Sequence, residues 1–505
     1  MPGLPASLSS LLRPDAFPHP VAEVRLVETH ISWVLLTGEY AYKLKRPVHY
    51  PFVDLRAPEH RAFLCEEEVR LNRRFAPELY LGVCPVVAKD GGLRIGGDGP
   101  AVEHVVRMRQ FDRKEELDRL IEAGEVAPPE LEAFGRELAL IHARLPLVGA
   151  QPWGTFERVS GLLRANLAEC RQSAGKFGTA AQVDAASAAL EAHLRNLEPR
   201  ITERRAQRIR ECHGDLHARN LVRWQGRLAA FDCLEFEPAF RWIDVADEVA
   251  FLWMDLIARH RRDLATAFLR GYLDESGDHE LCRLLPLYGG HRALVRAKVA
   301  ALEGSAAQHR DYLDCARELL SPRPPRLIAM SGFSGSGKTW LARQLAPRLD
   351  ALHLRSDVER KRLAGLKPTA HSHSRVGEDL YSSEASARVY EHLARCADAA
   401  LSGGIAVIAD ATFARRAERA RFAELARSHG GALTVIFCDA PLPVLQARIA
   451  QRERTPDASE ADLDVLAWQR AHADPLTSDE ALTHIAVDTS DASALSQVLD
   501  RLADS

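Results

Sequence analysis

The chain has 505 residues, enough for two to four domains with ample core. Hydrophobic residues make up 46% and charged residues 27%, the composition of an ordinary globular protein. The formal net charge of −4 gives no global electrostatic case for binding nucleic acid or a membrane surface, although it leaves room for a local basic groove.

Nine cysteines are scattered along the chain, and none belongs to a C-x-x-C pair. This odd number without paired spacing disfavours a disulfide framework and a structural zinc site, and it fits a reducing cytoplasm. The N-terminal residues lack the basic start and apolar run of a signal peptide. No apolar run approaches the roughly 18 residues of a membrane span, so we expect a cytoplasmic protein without a membrane partner.

The first part of the chain begins with strands. The runs "VRLVET", "SWVLLTG" and "YAYKLK" are rich in Val, Leu and aromatic residues, a helix is predicted over Pro58–Phe75, and "YLGVCPVVA" and "VEHVVRM" predict two more strands. From Glu115 to Leu320 the pattern is mostly helical, interrupted by "LVRWQGRLAAFD", which predicts a hairpin that turns at Gln225 and Gly226. A strand-rich small lobe followed by a helical large lobe is the outline of a kinase-like fold.

A proline-rich segment, Ser321–Arg326, predicts a linker, because proline removes helix donors and restricts its neighbours. After it, the strand-like runs "LIAMSG", "ALHLRS", "IAVIADAT", "LTVIFCD" and "THIAVD" alternate with helical segments such as Ser382–Leu401 and Arg415–His429. This alternation predicts βαβ units and a parallel sheet covered on both faces.

The stretch "HGDLHARN" permits two interpretations. His213, Asp215 and His217 could form a metal cluster, or the stretch could be a kinase catalytic loop of the form H-x-D-x-x-x-x-N, in which Asp215 and Asn220 stand five apart. The second interpretation also accounts for Asp232, which follows the predicted hairpin at the place of a metal-binding aspartate. We therefore expect Asp215 to act as catalytic base and Asn220 and Asp232 to bind Mg²⁺. His213 would brace the loop, and His217 would contact phosphate or lie on the surface.

Residues 20–310 resemble the aminoglycoside phosphotransferase and choline kinase type of protein-kinase-like enzyme. The motifs that carry the resemblance are "HGDLHARNLV", "FDCLEFEP" and "RWIDVADEVAF". It implies the same roles for Asp215, Asn220 and Asp232, and a structural role for Asp244.

The resemblance also implies that the small lobe supplies a lysine for the α- and β-phosphates of ATP. Lys43 is the candidate, with Lys45 beside it, and Glu68 is the expected partner, with Glu67 as runner-up. One departure is that no G-x-G-x-x-G loop precedes them.

The stretch "GFSGSGKT" fits the phosphate-binding motif G-x-x-x-x-G-K-[ST], and it lies between a predicted strand and a predicted helix. Its glycines let backbone N–H groups face phosphates, its lysine would reach the β- and γ-phosphates, and its threonine would bind Mg²⁺. Asp410, at the end of an apolar strand, is the expected carboxylate near the metal. The predicted cofactor-binding residues of the motif are Gly332, Phe333, Ser334, Gly335, Ser336, Gly337, Lys338 and Thr339.

Asp357 follows the second strand of this part, where ligands of such sheets bind, and it could accept the proton of an attacking hydroxyl. The alternative is a helix N-cap, which aspartate also favours. Arg448, Arg452 and Arg454 could clamp the transferring phosphoryl group, or they could lie on a solvated face.

Residues 327–490 resemble the small P-loop kinases related to zeta toxins, gluconate kinase and polynucleotide kinases, through "GFSGSGKT", "RSDVERKR" and "IADATF". The resemblance implies that Asp357 is the catalytic base. The order of the two parts also resembles a bacterial family in which an aminoglycoside-phosphotransferase-like domain is fused to a P-loop kinase. The predicted domains are 1–320 (small lobe about 20–108, large lobe about 109–320), a linker at 321–326, and 327–505.

The leading hypothesis is a bifunctional, ATP- and Mg²⁺-dependent phosphotransferase that acts on hydroxyls of small polar molecules. A second hypothesis makes the first domain regulatory or substrate-binding, although Asp215, Asn220 and Asp232 argue against it. A third is a polynucleotide 5′-hydroxyl kinase, which the net charge disfavours because binding a phosphate backbone usually needs a basic stripe. The predicted fold class is α/β and α+β, with a two-lobe kinase-like domain before a P-loop domain.

Overall fold

The structure is a computed structural model, which describes residues 4–50, 53–89, 91–321, 326–366, 383–452, 462–477, 480 and 482–503, with 383 and 452 described by backbone alone. The chain forms two compact units. The first comprises residues 1–130, 140–162 and 198–255, and the second comprises residues 131–139, 163–197 and 256–505. None of the described helices combines the length and the apolar character needed to cross a membrane.

A six-stranded antiparallel sheet opens the first unit, with the strand order β1-β2-β3-β8-β6-β7. A small separate pair, β4 with β5, lies between β3 and the first helix in the sequence. The strands are β1 Arg25–Glu28, β2 Ser32–Leu36, β3 Tyr40–Lys45, β4 His49–Tyr50, β5 Val53–Asp54, β6 Tyr80–Lys89, β7 Gly92–Ile95 and β8 Ala101–Arg109. The five strands that the sequence predicts here are confirmed. Strand β7 is not among the predicted strands, and β4 and β5, with two residues each, are too short to show an alternating pattern.

Helix α1 (Pro58–Asn72) packs on this sheet and begins with a proline, whose fixed φ suits the first helical position. It ends three residues before the predicted boundary at Phe75. Successive residues of strand β3 face opposite sides of the sheet. Tyr42 and Leu44 pack into an apolar cluster on one side, while Lys43 faces the other side, where it contacts α1.

The helical part of the chain follows the sheet. Its α-helices are α2 Leu117–Ala123, α3 Pro128–Arg144, α4 Phe156–Ala174, α5 Ala180–Arg208, α6 Pro238–Arg241, α7 Val245–Ala258, α8 Arg262–Ser276, α9 Leu285–Leu302 and α10 Ala306–Leu320. Four short strands interrupt them, namely β9 Ile209–Glu211, β10 Leu221–Trp224, β11 Arg227–Ala230 and β12 Trp242–Asp244. Short 3₁₀ segments include His279–Leu284.

The predicted hairpin is confirmed. Strands β10 and β11 pair in antiparallel register, and the two residues between them, Gln225 and Gly226, both have positive φ, 50° and 78°. Positive φ at both central residues is typical of the type I′ turn, whose twist matches that of the two flanking strands in a two-residue hairpin. The hairpin therefore carries the chain from Asn220 to Asp232 with a fixed register.

A five-stranded parallel sheet forms the centre of the second unit, with the order β14-β15-β13-β16-β17. Every residue of its middle strand β13 is buried, and successive residues of a strand face opposite sides, so both faces are covered as the sequence predicts. The strands are β13 Leu327–Ser331, β14 Ala351–Arg355, β15 Ala406–Asp410, β16 Leu433–Asp439 and β17 Thr483–Asp488. The helices are α11 Lys338–Leu345, α12 Ser356–Leu363, α13 Ser383–Ser402, α14 Arg416–Ser428, α15 Leu442–Arg452, α16 Leu463–His472 and α17 Ala494–Ala503.

The predicted linker at 321–326 falls mostly on residues 322–325, which lie outside the described residues. The compact units divide the chain at other points, because the second unit includes helices α8 to α10 together with the parallel sheet. The domain boundary at the proline-rich segment stays a prediction.

Helices α3 and α8 cross in the second unit at two glycines, Gly135 and Gly271. A Cβ on Gly135 would collide with the backbone carbonyl of Phe268, which cannot move without shifting α8. We predict that Gly135→Ala lowers the free energy of unfolding by about 1–3 kcal/mol, the usual range for overpacking. Urea unfolding followed by circular dichroism measures the change.

The control is Gly161→Ala, in helix α4, where an added Cβ meets nothing within 4 Å. Alanine replaces glycine there without a clash, so stability should rise by about 0.5–1 kcal/mol through helix propensity. Equal effects of the two substitutions would contradict a tight crossing at Gly135.

Candidate active sites

The first candidate site begins with Lys43 on β3. Its Nζ donates to Glu68 Oε1 on α1 at 2.8 Å and to Asp232 Oδ1 at 2.5 Å. Glu68 is fully buried and the side chain of Lys43 is 11% exposed, whereas that of Asp232 is 45% exposed. The structure therefore brings together the predicted lysine, its expected glutamate and the predicted metal ligand. Glu67, the runner-up, pairs with Arg70 instead.

A second lysine completes this cluster. Lys45 lies two residues along the same strand, so it has the same facing as Lys43, and its buried Nζ contacts both Glu68 and Glu235. Burial alone would raise the pKa of Glu68, but the positive charges of Lys43 and Lys45 outweigh it and lower that pKa to about 2. Glu68 is thus held as a carboxylate between two ammonium groups.

The loop after β9 places Asp215 and Asn220 together. Asn220 Nδ2 donates to the backbone oxygen of Asp215 at 3.0 Å and to its Oδ2 at 2.9 Å. This hydrogen bonding leaves the amide oxygen of Asn220 as the group that can bind a cation. His217 Nε2 lies 3.3 Å from the same Oδ2, and its side chain is buried against Phe251. The expectation of a surface position for His217 is therefore wrong.

His213 braces the loop, as the sequence predicts. Its Nδ1 accepts from the backbone N–H of Asp215 at 3.3 Å, and its Nε2 donates to the backbone oxygen of Phe231 at 2.8 Å. Burial lowers the pKa of His213 to about 4, so the ring is neutral near pH 7. Because both ring nitrogens bind backbone groups, His213 cannot join Asp215 in a metal cluster, and that alternative is wrong.

Hydrogen bonds from backbone N–H groups to side chains fix the position of Asp232. Its φ is 65°, an uncommon left-handed value for a residue with a side chain. Its N–H donates to the Tyr80 hydroxyl at 3.0 Å, and the next N–H, of Cys233, donates to Asn72 Oδ1 at 3.0 Å. Asp244 is paired with the guanidinium of Arg204 by two 2.8 Å bonds, which suits the structural role that the resemblance implies.

The second candidate site is the turn between β13 and α11. Gly332, Gly335 and Gly337 have φ values of 133°, 80° and 81°, which glycine adopts without strain. A Cβ on Gly335 would lie 2.7 Å from the backbone oxygen of Leu445, and one on Gly337 would lie 3.0 Å from Thr489 Oγ1. The chain therefore keeps a side-chain-free cradle at the N-terminus of a helix, a form that fits a phosphate group.

Side chains fix the shape of this cradle. Gln469 Oε1 accepts from the backbone N–H of Ser334 at 2.9 Å and from its hydroxyl at 3.1 Å. Thr489 donates to the backbone oxygen of Ser336 at 2.7 Å, and Lys338 Nζ donates to that of Phe333 at 2.8 Å.

A cavity of about 490 Å³ opens beside the cradle. It is lined by residues of the phosphate-binding turn and by both aspartates that the sequence predicts for this site. The predicted residues that line it are Ser334, Gly335, Gly337, Lys338, Thr339, Asp357, Asp410 and Arg448.

Asp357 is the second residue of α12, and Arg355 occupies the N-cap position, so the N-cap alternative for Asp357 is wrong.

Asp410 lies at the end of β15 and is buried, and its Oδ2 lies 3.0 Å from His353 Nε2 on β14. Burial raises the pKa of Asp410, but the contact with His353 outweighs it and lowers that pKa to about 2. Asp410 is thus a carboxylate, as a metal ligand must be.

Arg448 contacts the cradle from the side. Its guanidinium donates to Gly335 O at 3.3 Å, to Thr489 Oγ1 at 2.9 Å and to Thr489 O at 3.0 Å. The solvated-face alternative for Arg448 is therefore wrong. The side chain of Arg452 and the whole of Arg454 lie outside the described residues, so their predicted clamp role stays a prediction.

The sequence predicts Lys45 only as an alternative to Lys43, whereas the structure uses both lysines, and three supporting residues are absent from the prediction. Glu235 completes the ion cluster with Lys45, His353 orients Asp410, and Gln469 holds the cradle. The joint use of the lysines has a signal in the sequence, since two lysines at alternate positions of an apolar strand share one face. His353 likewise interrupts an apolar strand, whereas the distant Gln469 has no local signal.

We predict that Glu68→Gln lowers the free energy of unfolding by about 3–5 kcal/mol, because it leaves the buried ammonium groups of Lys43 and Lys45 without their shared counter-charge. Urea unfolding followed by circular dichroism measures the loss. The matched control is Glu67→Gln, which should cost about 1 kcal/mol or less, because its closer partner Arg70 is half-exposed and its contact with the buried Arg241 is a longer one of 3.6 Å. A smaller loss for Glu68→Gln than for its neighbour would contradict the central place of Glu68.

Two family models match the chain. One, described as the phosphotransferase enzyme family, matches residues 38–285, and the other, described as an AAA domain, matches residues 327–476. Among solved structures, a sugar kinase from Janibacter is 22% identical with a TM-score of 0.28, covering 36% of this chain and 95% of that protein. A choline kinase from Cryptosporidium parvum is 11% identical with a TM-score of 0.35, covering 59% and 90%.

Curated relatives match most of the chain. The uncharacterized protein Rv2004c from Mycobacterium tuberculosis is 32% identical over 451 residues, covering 86% of this chain and 88% of that protein. The uncharacterized protein Mb2027c from Mycobacterium bovis matches with the same values. The chain therefore belongs to the family of Rv2004c and Mb2027c, and within it a kinase-like phosphotransferase region precedes a P-loop kinase region.

Proposed function

We propose that the protein is a bifunctional phosphotransferase, with one ATP- and Mg²⁺-dependent site in each compact unit. Each site transfers the γ-phosphoryl group of ATP to a hydroxyl of a small polar molecule. The kinase families support ATP-dependent phosphotransfer as the general activity.

One observation carries the proposal for the second unit, namely that a single cavity is lined by Lys338, Thr339, Asp357 and Asp410. Lys338 and the cradle would hold the ATP phosphates, and Thr339 and Asp410 would hold Mg²⁺, which supplies charge neutralisation at the transferred group. Asp357 lines the same cavity. It is placed to orient an acceptor hydroxyl and take its proton.

The first unit supports the same chemistry with different parts. Lys43, held by Glu68, would bind the α- and β-phosphates, and the oxygens of Asn220 and Asp232 are the hard ligands that Mg²⁺ prefers. His213 joins the Asp215 loop to the backbone just before Asp232, so base and metal ligand are held by one hydrogen-bonded unit. A domain that serves only to bind or regulate has no need for Asp215 in this arrangement.

The cavity of the second unit also supports a small polar acceptor. Beyond the phosphate cradle its lining mixes aromatic side chains with charged and hydroxyl groups, which is the usual make-up of a small-molecule site. The residues in question are Trp340, Arg360, Ser386, Tyr390, Arg415, Glu418, Arg421 and Trp468. Hydroxyl compounds such as sugars, nucleosides and aminoglycosides are the acceptors to test.

We predict that Asp357→Asn lowers ATP-dependent phosphorylation at the second site by about 10²–10⁴-fold, the scale of a lost general base. The measurement is ATP consumption with a panel of sugars, nucleosides, aminoglycosides and a 5′-hydroxyl oligonucleotide. The matched control is Asp464→Asn, since Asp464 is also the second residue of a helix but is exposed. Unchanged turnover with Asp357→Asn for every acceptor would remove Asp357 from the mechanism.

We predict that Asp215→Asn lowers turnover of a different subset of acceptors by about 10²–10⁴-fold and leaves the acceptors of the second site unaffected. The chain carrying both Asp215→Asn and Asp357→Asn should consume no ATP in response to any acceptor. Asp184→Asn, at an exposed position of α5, is the control. If Asp215→Asn changes nothing with any acceptor while Asp357→Asn silences all of them, the first unit is regulatory.

A further inference from the structure

The second unit contains a cluster of metal-ligand side chains that neither candidate site uses. His279 begins the 3₁₀ segment His279–Leu284, Glu359 lies on α12, and His392 and Cys396 lie on α13. The side chains of His279 and Glu359 are 5% and 3% exposed, Cys396 is buried, and the side chain of His392 is 19% exposed. Three separate elements thus direct two imidazoles, a carboxylate and a thiol to one place in the interior.

Three pairs of potential ligand atoms lie in direct contact. His279 Nε2 lies 3.2 Å from Glu359 Oε1, His392 Nε2 lies 2.9 Å from Glu359 Oε2, and Cys396 Sγ lies 3.5 Å from His392 Nε2. The ligand atoms of His279, Glu359 and Cys396 all lie within 4.8 Å of one another. Zn–N bonds of about 2.0–2.1 Å and Zn–S bonds of about 2.3 Å in a tetrahedron put neighbouring ligand atoms roughly 3.3–3.8 Å apart.

The spacing along α13 also fits. His392 and Cys396 are four residues apart on one helix, so their side chains share a face and reach the same point. Imidazole and thiolate are the ligands that zinc selects, whereas Mg²⁺ and Ca²⁺ prefer oxygen ligands alone. We propose that His279, Glu359, His392 and Cys396 bind one structural Zn²⁺.

The cluster can supply the two negative charges that a divalent ion needs in the interior. One comes from the Glu359 carboxylate and one from a Cys396 thiolate that forms on binding. On binding, the thiol proton of Cys396 goes to solvent and a Zn–S bond forms, with no change of oxidation state. Arg362, whose Nε donates to Glu359 Oε2 at 3.0 Å, then orients the carboxylate as an outer partner.

The competing explanation is a hydrogen-bonded network in which Glu359 is held by Arg362 and the two histidines. In such a network the Cys396 thiol contacts His392 at 3.5 Å and does not hold Glu359. The two explanations therefore predict different effects of replacing Cys396. In the zinc site the thiolate is a ligand, and its removal abolishes binding.

A second cluster of this kind, in the first unit, is a weaker candidate. His142, Cys212 and Glu248 have ligand atoms within 4.8 Å of one another and are buried. Glu248, however, accepts from the backbone N–H groups of His213 and Gly214 at 2.7 and 3.0 Å, so its carboxylate already braces the catalytic loop. Only two other ligands remain, and a structural zinc site normally takes four from protein.

The test uses the full chain without a polyhistidine tag, purified in a non-chelating reductant, loaded with Zn²⁺ and desalted. Metal content is measured by inductively coupled plasma mass spectrometry. We expect about one zinc per chain in the unsubstituted protein, and about a tenfold lower content after Cys396→Ala or His392→Ala. Three variants should keep the full content, namely Cys315→Ala, Cys212→Ala and His429→Ala.

These controls are matched to the cluster. Cys315 is another buried cysteine, and His429 is another histidine paired with a carboxylate of α13, Asp398, at 2.7 Å. Full zinc content in Cys396→Ala, or loss of zinc in Cys212→Ala with retention in Cys396→Ala, overturns the proposal. So does an unsubstituted chain that holds no zinc after loading.

A second readout does not depend on the folding of any variant. Co²⁺ added to the metal-free unsubstituted chain should give the intense visible bands of a tetrahedral site and a thiolate-to-cobalt charge-transfer band in the near ultraviolet. Zn²⁺ should then displace the cobalt and bleach both. Weak octahedral bands without charge transfer would overturn the assignment of Cys396 as a ligand.

Discussion

Glu68 is the side chain on which the first unit depends. It is fully buried on α1, and it can stay charged there only because Lys43 and Lys45 approach it from β3. The same lysines contact Asp232 and Glu235 in the segment after the hairpin. One buried carboxylate therefore joins the sheet, the helix that packs on it and the segment that carries the proposed metal ligand. The contacts that position the candidate site residues are therefore the same contacts that hold the sheet, the helix and this segment together.

In the second unit, backbone geometry and hydrogen bonds, instead of buried ion pairs, hold the candidate site in place. Three glycines with positive φ leave a cradle without side chains, and Gln469, Thr489 and Arg448 hold its walls by hydrogen bonds to backbone atoms. Carboxylates then reach the cavity from the carboxyl ends of β14 and β15, where a parallel sheet leaves its binding edge. Each unit thus has its own means of fixing the positions of its candidate site residues.

Helix α12 contributes a residue to the cavity and another to the buried cluster. Its first turn carries Asp357 to the cavity, and Glu359, two residues later, enters the buried cluster with His279 and His392. The spacing of cysteines along the chain disfavours a structural zinc site, yet the fold collects a thiol, a carboxylate and two imidazoles from separated elements. Cysteine spacing carries no information about such a cluster, because it detects only ligands that are close in sequence.

The sequence by itself determined the two motif loops, the strands and helices beside them, and most of the candidate site residues. It could do so because "HGDLHARN" and "GFSGSGKT" are local patterns, in which spacing alone sets which groups face one way. Only the tertiary structure decided between Glu67 and Glu68, gave His217 a buried place beside Asp215, put Arg355 at the N-cap in place of Asp357 and set His353 against Asp410. Those outcomes depend on burial and on contacts between residues far apart in the chain, and the desolvation of a charge is a property of the folded environment that no local pattern contains.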